Sequence, residues 1–327
     1  MHAMRAVVYD AYGLPEVLRV EEVEKPVAKD DELLVRVHAA SVNQWDWDLL
    51  RGKPFIARLG ALRRPQYNIL GADIAGVVEA VGGNVTRFQP GDEVFGDLSE
   101  CGWGGFAEFA VAGQDALARK PAGLSFEEAA AVPQAAVLAL QGLRKEGPIR
   151  SGLRVLVNGA GGGVGTFAVQ IAKSFEADVT GVDSAEKLAV VASLGADRVI
   201  DYTREDFTQG RQGYDLILDI AARHSVFECE RALNAGGVYT MVGGSTGAIL
   251  QVGLLGPLMK VARRKKLSLL MHKPNKGLAD LTQLLESGKV APVVDRCFPL
   301  SQVPEAIGYL GEGNARGKVV ITVRGAD

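Results

Sequence analysis

The sequence predicts an α/β protein of two domains, one β-rich and one built on a doubly wound parallel sheet, and three observations predict it. At 327 residues the chain is longer than a single hydrophobic core usually serves. Residues 1–124 read as short strands, whereas residues 125–274 alternate apolar strands with helical stretches. The 40 glycines exceed average usage, and many fall at strand-to-helix turns.

The β-rich part contains MRAVVYD, VLRVEEV, ELLVRVHAASV, IAGVVEAVG, GDEVFG and FAEFAVA, separated by turn residues. At Ser125 the texture changes. Ser125 with Glu128 forms a capping box ahead of one apolar helical run, SFEEAAAVPQAAVLALQGLRKEG, and the second domain is expected to start here. RVLVNGA, DVTGVD, RVIDY, DLILDI, GVYTMVG and LSLLMH then alternate with helices, the pattern of a parallel sheet covered on both faces. Residues 275–327 hold a helix, the β segment VVDRCFPL, a helix at PEAIGYLGEG and a last strand KVVITV, and are expected to return to the first domain.

Composition narrows the function. Hydrophobic residues make up 47% and charged residues 23%, with a net charge of −3, so no nucleic-acid partner is implied. Cys101, Cys229 and Cys297 show no Cys-x-x-Cys spacing, which argues against a disulfide framework or structural zinc. The N-terminal MHAMRAVVYDAYG runs straight into a strand, and a cytoplasmic location is expected. The stretch Gly247–Met259, followed by Lys260, Arg263, Arg264, Lys265 and Lys266, is too short to span a bilayer. It reads as a surface or subunit-contact helix, with a basic membrane contact as the alternative.

The chemistry-bearing motif is NGAGGGVG at Asn158–Gly165, between the strand RVLV and a helix. Backbone N–H groups of Ala160, Gly161, Gly162, Gly163 and Val164, with the helix N-terminus, would cradle a pyrophosphate. Ala160 departs from a strict G-x-G-x-x-G, and a plain β-to-α turn is the competing reading. Asp183 ends the second strand, where an acid hydrogen-bonds the adenosine ribose and repels a 2′-phosphate. It inclines the expectation toward NADH, while Lys187, beyond Ser184, and Tyr202 would serve NADPH.

NILGADIAGVVEAVGGNVTRFQPGDEVFGD, GWGGFAEFAV, NGAGGGVGTFAVQIAK, LGADRVIDY and RGKVVITV together resemble the zinc-free, quinone oxidoreductase-like family of the medium-chain dehydrogenase/reductase superfamily. The resemblance runs nearly end to end. It implies a GroES-like catalytic domain built from both termini, a Rossmann domain between them, an active site in the cleft, and a homodimer joined through the edge strand LSLLMH. Zinc-dependent relatives carry a cysteine, a Gly-His-Glu histidine and a later cysteine or acid. Here those positions hold Asn43, Ala72 with Asp73, and PQAA at Pro133–Ala136, so no zinc is expected.

The implied reaction is hydride transfer from NAD(P)H to a quinone or an α,β-unsaturated carbonyl. Asn43 matches the family asparagine, whose amide would donate to the acceptor or to a cofactor hydroxyl; a turn-forming asparagine is the plainer reading. Asp46 also matches, with a structural hydrogen bond into the loop as its alternative role. Asp48 stands where relatives place a tyrosine or lysine, leaving the proton donor to water. Trp45, Trp47 and Trp103 would line the pocket, or simply pack. Val242, Gly243 and Gly244 are expected under the nicotinamide. Leu138 replaces a family threonine, DIAA at Asp219–Ala222 replaces DxVG, and Gly317 with Lys318 match a closing motif read as structural.

Three other functions compete. One is a dinucleotide-binding sensor or structural protein without turnover, and another is a zinc-free alcohol dehydrogenase-like enzyme. The third is a hydrolase, since Gly243, Ser245 and Gly247 spell G-x-S-x-G. It fails on order, because no acid lies between that motif and His272.

Overall fold

The period-two patterns and the helical runs appear in chain order in a computed structural model that describes residues 3–53, 58, 61–210, 213–244, 247–254 and 265–323. The first elements are β1 (Ala3–Val8), β2 (Arg19–Glu24), β3 (Glu32–Val42), α1 (Gln44–Arg51), β4 (Asp73–Val81), β5 (Glu93–Asp97), β6 (Phe109–Gly113) and β7 (Ala118–Arg119). Then follow α2 (Phe126–Ala130), α3 (Pro133–Leu143), β8 (Arg154–Asn158), α4 (Gly163–Ser174), β9 (Asp178–Asp183), α5 (Ala185–Ser193), β10 (Arg198–Asp201) and β11 (Tyr214–Asp219). The chain continues through α6 (Val226–Arg231), β12 (Leu233–Met241), α7 (residues 247–254), β13 (Lys266–Leu269), α8 (Leu278–Glu286), β14 (Val294–Pro299), α9 (Val303–Gly311) and β15 (Lys318–Thr322).

Two compact units result: Met1–Val137 with Pro274–Glu286 and Pro292–Asp327, and Leu138–Lys273 with Ser287–Ala291. The capping-box helix α2, read in the sequence as opening the second domain, contacts β3 and β4 of the first unit. The predicted single helical run is two helices, α2 and α3. Pro133 lacks an N–H and disfavours helical backbone at the preceding residue, so the run breaks there. Helix α1 had no counterpart among the predicted elements. Its N-terminus is held by the Asp46 carboxylate, which accepts from the Asn43 backbone N–H at 2.7 Å, and Gly52 ends it in the left-handed conformation.

In the first unit a 7-stranded sheet runs β14-β15-β3-β4-β5-β7, with β6 also paired to β3. The antiparallel register of β15 on β3 pairs Val319 with Val42 and Ile321 with Ala40. This pairing brings the C-terminal strand beside the residues that precede α1. Val35, Val37, Val42, Ile74 and Val319 are fully buried in one core with Leu50 of α1, and each such side chain contributes about 1.5–3 kcal/mol.

The second unit is a parallel sheet in the order β10-β9-β8-β11-β12-β13. The order reverses between β8 and β11, and a ligand of such a sheet binds beyond the strands' carboxyl ends at that point. Asn158, Asp183, Asp201 and Asp219 end their strands in register, Asp219 opposite Asn158 and Asp201 opposite Asp183. β13, from LSLLMH, is the edge strand beside β12. Ser245, and all of the 260–266 segment except Lys265 and Lys266, lie outside the described residues. Lys265 pairs with Glu230 at 2.9 Å and Lys266 with Glu146 at 3.3 Å. No helix among the described residues is long and apolar enough to cross a membrane.

Candidate active site

The glycine loop follows β8 and opens α4, whose N-cap Gly162 offers no side-chain acceptor to the first-turn N–H groups. Such uncapped donors, with the positive end of the helix dipole, are chemically suited to an anion. Sterics explain the glycines. A Cβ on Gly165 would stand 2.1 Å from the Gly159 carbonyl oxygen, so the loop closes on the helix only with glycine there. A Cβ on Gly162 meets nothing nearer than that oxygen at 3.6 Å, which leaves an open cradle at the helix end. Ala160 is buried under the loop, while Gly162, Gly163 and Val164 are partly exposed.

Asp183 sits beside this cradle. One carboxylate oxygen accepts from the Gly161 N–H at 2.8 Å and the other from the Ser184 N–H at 2.8 Å, so the side chain is locked against the loop. Lys187, one turn into α5, lies over Gly161, where a Cβ would come within 2.6 Å of its own. The exposed Tyr202 follows β10, its backbone N–H donating to the Asp183 carbonyl, and the Arg223 guanidinium stacks 4.9 Å above its ring. Ala160, Gly161, Asp183, Ser184, Lys187 and Tyr202 thus gather at one end of the sheet.

Across the switch point the buried Asp219 accepts from Asn158 at 2.8 Å, from Tyr239 at 2.8 Å and from the Ala222 backbone at 2.7 Å. Burial beside this carboxylate raises the Tyr239 hydroxyl and the Cys229 thiol far above their ordinary values, so both stay protonated. Asp219 holds Ala222 in the left-handed region at φ 42°, the position where the family pattern has glycine. Val242 follows β12 and donates to the Asp219 carbonyl; Gly244 stands against Ala222, and a Cβ on Gly243 would meet nothing within 4 Å among the described residues.

In the first unit Asn43, Asp73 and Lys318 converge although far apart in sequence. The Asn43 side-chain N–H donates to Asp73 at 2.9 Å, its Oδ1 accepts from the Lys318 ammonium, and Ser41 donates to Asp73 at 3.1 Å. Lys318 lies 3.7 Å from Asp73, and both are buried. Burial pushes the Asp73 carboxyl up to about 7, with the Lys318 charge opposing the rise. The Lys318 ammonium is pulled down by burial, against the pull of Asp73 and Asp46. Asp46 is also pushed to about 7 by burial, and it accepts from the Asn43 and Gly71 backbone N–H groups at 2.7 and 2.9 Å. Gln134, in the PQAA segment, donates its backbone N–H to Asp73 at 3.0 Å.

The three tryptophans do not gather into one wall. Trp45 is exposed at the start of α1, and Trp47 fills the space over Gly311 of α9 under the Arg51 guanidinium. Trp103 is buried near Tyr67, at φ 68° between two left-handed glycines. Asp48 is tied to Gln44 and Arg51 on the surface of α1. Sequence reasoning underrated Lys318 and Gln134. The available signal was a charged residue heading an otherwise apolar strand, and an amide in an alanine- and valine-rich run.

A glycine cradle at the switch point of a parallel sheet, joined in sequence to a β-rich unit with a buried polar cluster, defines a nicotinamide-dependent dehydrogenase or reductase of two-unit construction. Residues 29–141 match the alcohol dehydrogenase GroES-like domain, and residues 194–321 match the zinc-binding dehydrogenase family. The 2-methylene-furan-3-one reductase of Solanum lycopersicum is 36% identical over 332 residues, 97% of this chain and 79% of its own. The chloroplastic NADPH-dependent alkenal/one oxidoreductase of Arabidopsis thaliana is 34% identical, again over 97% of this chain and 79% of its own. The solved quinone oxidoreductase from Coxiella burnetii superimposes with a TM-score of 0.87 at 29% identity, covering 99% of this chain and 100% of that one. This chain belongs to the medium-chain dehydrogenase/reductase superfamily, among its quinone and enone oxidoreductases.

Proposed function

We propose that the protein reduces α,β-unsaturated carbonyls or quinones with NAD(P)H and without zinc. The observation that carries the zinc-free reading is the buried Lys318 ammonium, hydrogen-bonded to Asn43 and 3.7 Å from Asp73. A fixed cation already occupies the neighbourhood of the positions that hold metal ligands in zinc-dependent relatives, and Asn43 is a poor zinc donor. Without a Lewis acid to stabilise an alkoxide, an already electrophilic conjugated acceptor is the better substrate. The names of the Solanum and Arabidopsis relatives point to the same substrate class.

The reduced nicotinamide supplies a hydride when bound, and a proton from water completes the reduction. This chain's residues bind and orient. The α4 N-terminus with Gly161, Gly162 and Gly163 would hold the pyrophosphate, and Asp183, preset by its two backbone hydrogen bonds, would accept from the ribose hydroxyls. That carboxylate favours NADH over NADPH, with Lys187 and Tyr202 as the groups that would accommodate a 2′-phosphate. Gly243 and Gly244, free of bulky side chains beside Ala222, leave room for the nicotinamide ring. Asn43 and Asp46 keep the loop before and within α1 in place, and the exposed Trp45 beside them would be open to an acceptor.

Cys101, Cys229 and Cys297 are free thiols, which favours a reducing, cytoplasmic compartment. β13 ends the strand order among the described residues, and its outer edge would pair with that of a second copy in a homodimer. The test is spectrophotometric consumption of NADH and NADPH with a panel of quinones and enones, with zinc content measured on the same sample. Turnover with an enone or quinone in metal-free protein is expected. Binding of dinucleotide with no turnover on any acceptor would favour the sensor reading, and alcohol oxidation alone would favour the alcohol dehydrogenase-like one.

A further inference from the structure

We propose that Gln134, through its side-chain amide, is the hydrogen-bond donor to the carbonyl oxygen of the acceptor; this rests on the enone or quinone reductase reading. Gln134 is 3% exposed, and its Nε2 is buried with no hydrogen-bond partner among the described residues. Its flanking residues Val132, Ala135 and Ala136 are fully or almost fully buried and apolar. An unpaired amide in such surroundings costs about 1–3 kcal/mol, a cost that an apolar side chain of the same size would avoid. The amide is thus an unspent donor beside the buried cluster, and a bound carbonyl oxygen would satisfy it.

The neighbouring polar groups already have partners. Asn43 donates to Asp73 and accepts from Lys318, so its amide is committed at both ends. Asp73 takes hydrogen bonds from Ser41, Asn43 and the backbone of Gln134. The cluster therefore anchors the Gln134 backbone while leaving its side chain as the unspent donor. Addition of hydride to the β-carbon moves the C=C electron pair toward an enolate, and negative charge accumulates on the carbonyl oxygen. The oxygen then accepts more strongly from the Gln134 N–H, and the buried Lys318 cation nearby favours the same charge. A proton from water is added at the α-carbon, which balances one hydride and one proton per acceptor.

The experiment compares wild type with Gln134→Met and Gln134→Glu, using 2-cyclohexen-1-one as acceptor and the nucleotide-loaded enzyme. For Gln134→Met, kcat/KM should fall about a hundredfold, as when one oxyanion donor is removed, mostly through kcat. Nucleotide affinity should stay within about twofold, and the urea midpoint should hold or rise because an unsatisfied amide is gone. The infrared carbonyl band of bound 2-cyclohexen-1-one, shifted to lower frequency in wild type, should return toward its free position. In Gln134→Glu activity should depend newly on pH, falling as pH rises, because only the protonated carboxyl donates. An active wild type with Gln134→Met within about threefold of it, or activity lost in step with a lower urea midpoint, overturns the assignment. A wild type inactive on every enone and quinone overturns the parent reading instead.

Discussion

Lys318→Met separates a charge held for a reason from a charge merely tolerated. Lys318 is 3% exposed and Asp73 is fully buried, so removing the ammonium leaves a carboxylate without its cation. Breaking a buried pair in this way costs about 3–5 kcal/mol when the remaining partner stays charged. Asp73 already sits near 7 because of burial, and Lys318 is the strongest influence pulling it down. Without that influence it moves higher still. A carboxyl raised above its unfolded value contributes stability that is full below the unfolded value and is lost as pH rises through the folded one. Between about pH 6 and pH 8 the wild type releases the Asp73 proton while the variant retains it, so the deficit should grow by about 1 kcal/mol across that interval, one proton over one pH unit being worth about 1.4 kcal/mol. Urea unfolding followed by circular dichroism at the two pH values measures the deficit, and Lys318→Met/Asp73→Asn should recover at least half of the loss at the higher pH. A deficit that is the same at both pH values, or that the second substitution leaves untouched, refutes the reasoning.

Three further outcomes follow from the second unit. Gly165→Ala forces the backbone away from the Gly159 oxygen and should lower stability by about 2–3 kcal/mol while abolishing NADH binding; Gly162→Ala, with open space at its Cβ, should fold like wild type, and calorimetry with urea melts reads the contrast. Wild type should bind NADH more tightly than NADPH, and Asp183→Ala should shift the ratio toward NADPH by about tenfold, one kind of charge repulsion being removed; an unchanged ratio takes Asp183 out of the site. Tyr239→Phe withdraws a donor from the buried Asp219 carboxylate and should cost about 1.5–3 kcal/mol in urea unfolding, whereas a neutral result means that Asp219 is not the hub of the switch point.

Much of this architecture could be read from local pattern, because local pattern has local causes. Alternation in ELLVRVHAASV marks β3, whose side chains divide between two faces, and the apolar run RVLV marks β8, buried on both. NGAGGGVG announced the cradle because only glycine permits the approach seen at Gly165. The helical run that periodicity predicts across Pro133 is broken there into α2 and α3. The αR preference of the alanines around it hid a rule about the residue before proline. Helix α1 escaped notice because QWDWDLLR shows few apolar residues, and its ends are set by the Asp46 carboxylate and Gly52 rather than by periodicity.

The polar cluster was invisible for a different reason. Asn43 and Asp73 are 30 residues apart, Asp73 and Gln134 are 61, and Asn43 and Lys318 are 275. No window along the chain contains them together. They meet because β15 pairs antiparallel with β3 in the register that sets Val319 opposite Val42, because β4 pairs with β3 so that Ser41 faces Asp73, and because α3 begins with its Gln134 N–H on Asp73. A shift of one residue in either register would turn these side chains to the opposite face of the sheet. Residue types and strand alternation thus prescribe which chemistry is present, whereas long-range hydrogen-bond register settles which groups share a low-dielectric site, and with it which carboxyls rise and which amide is left without a partner.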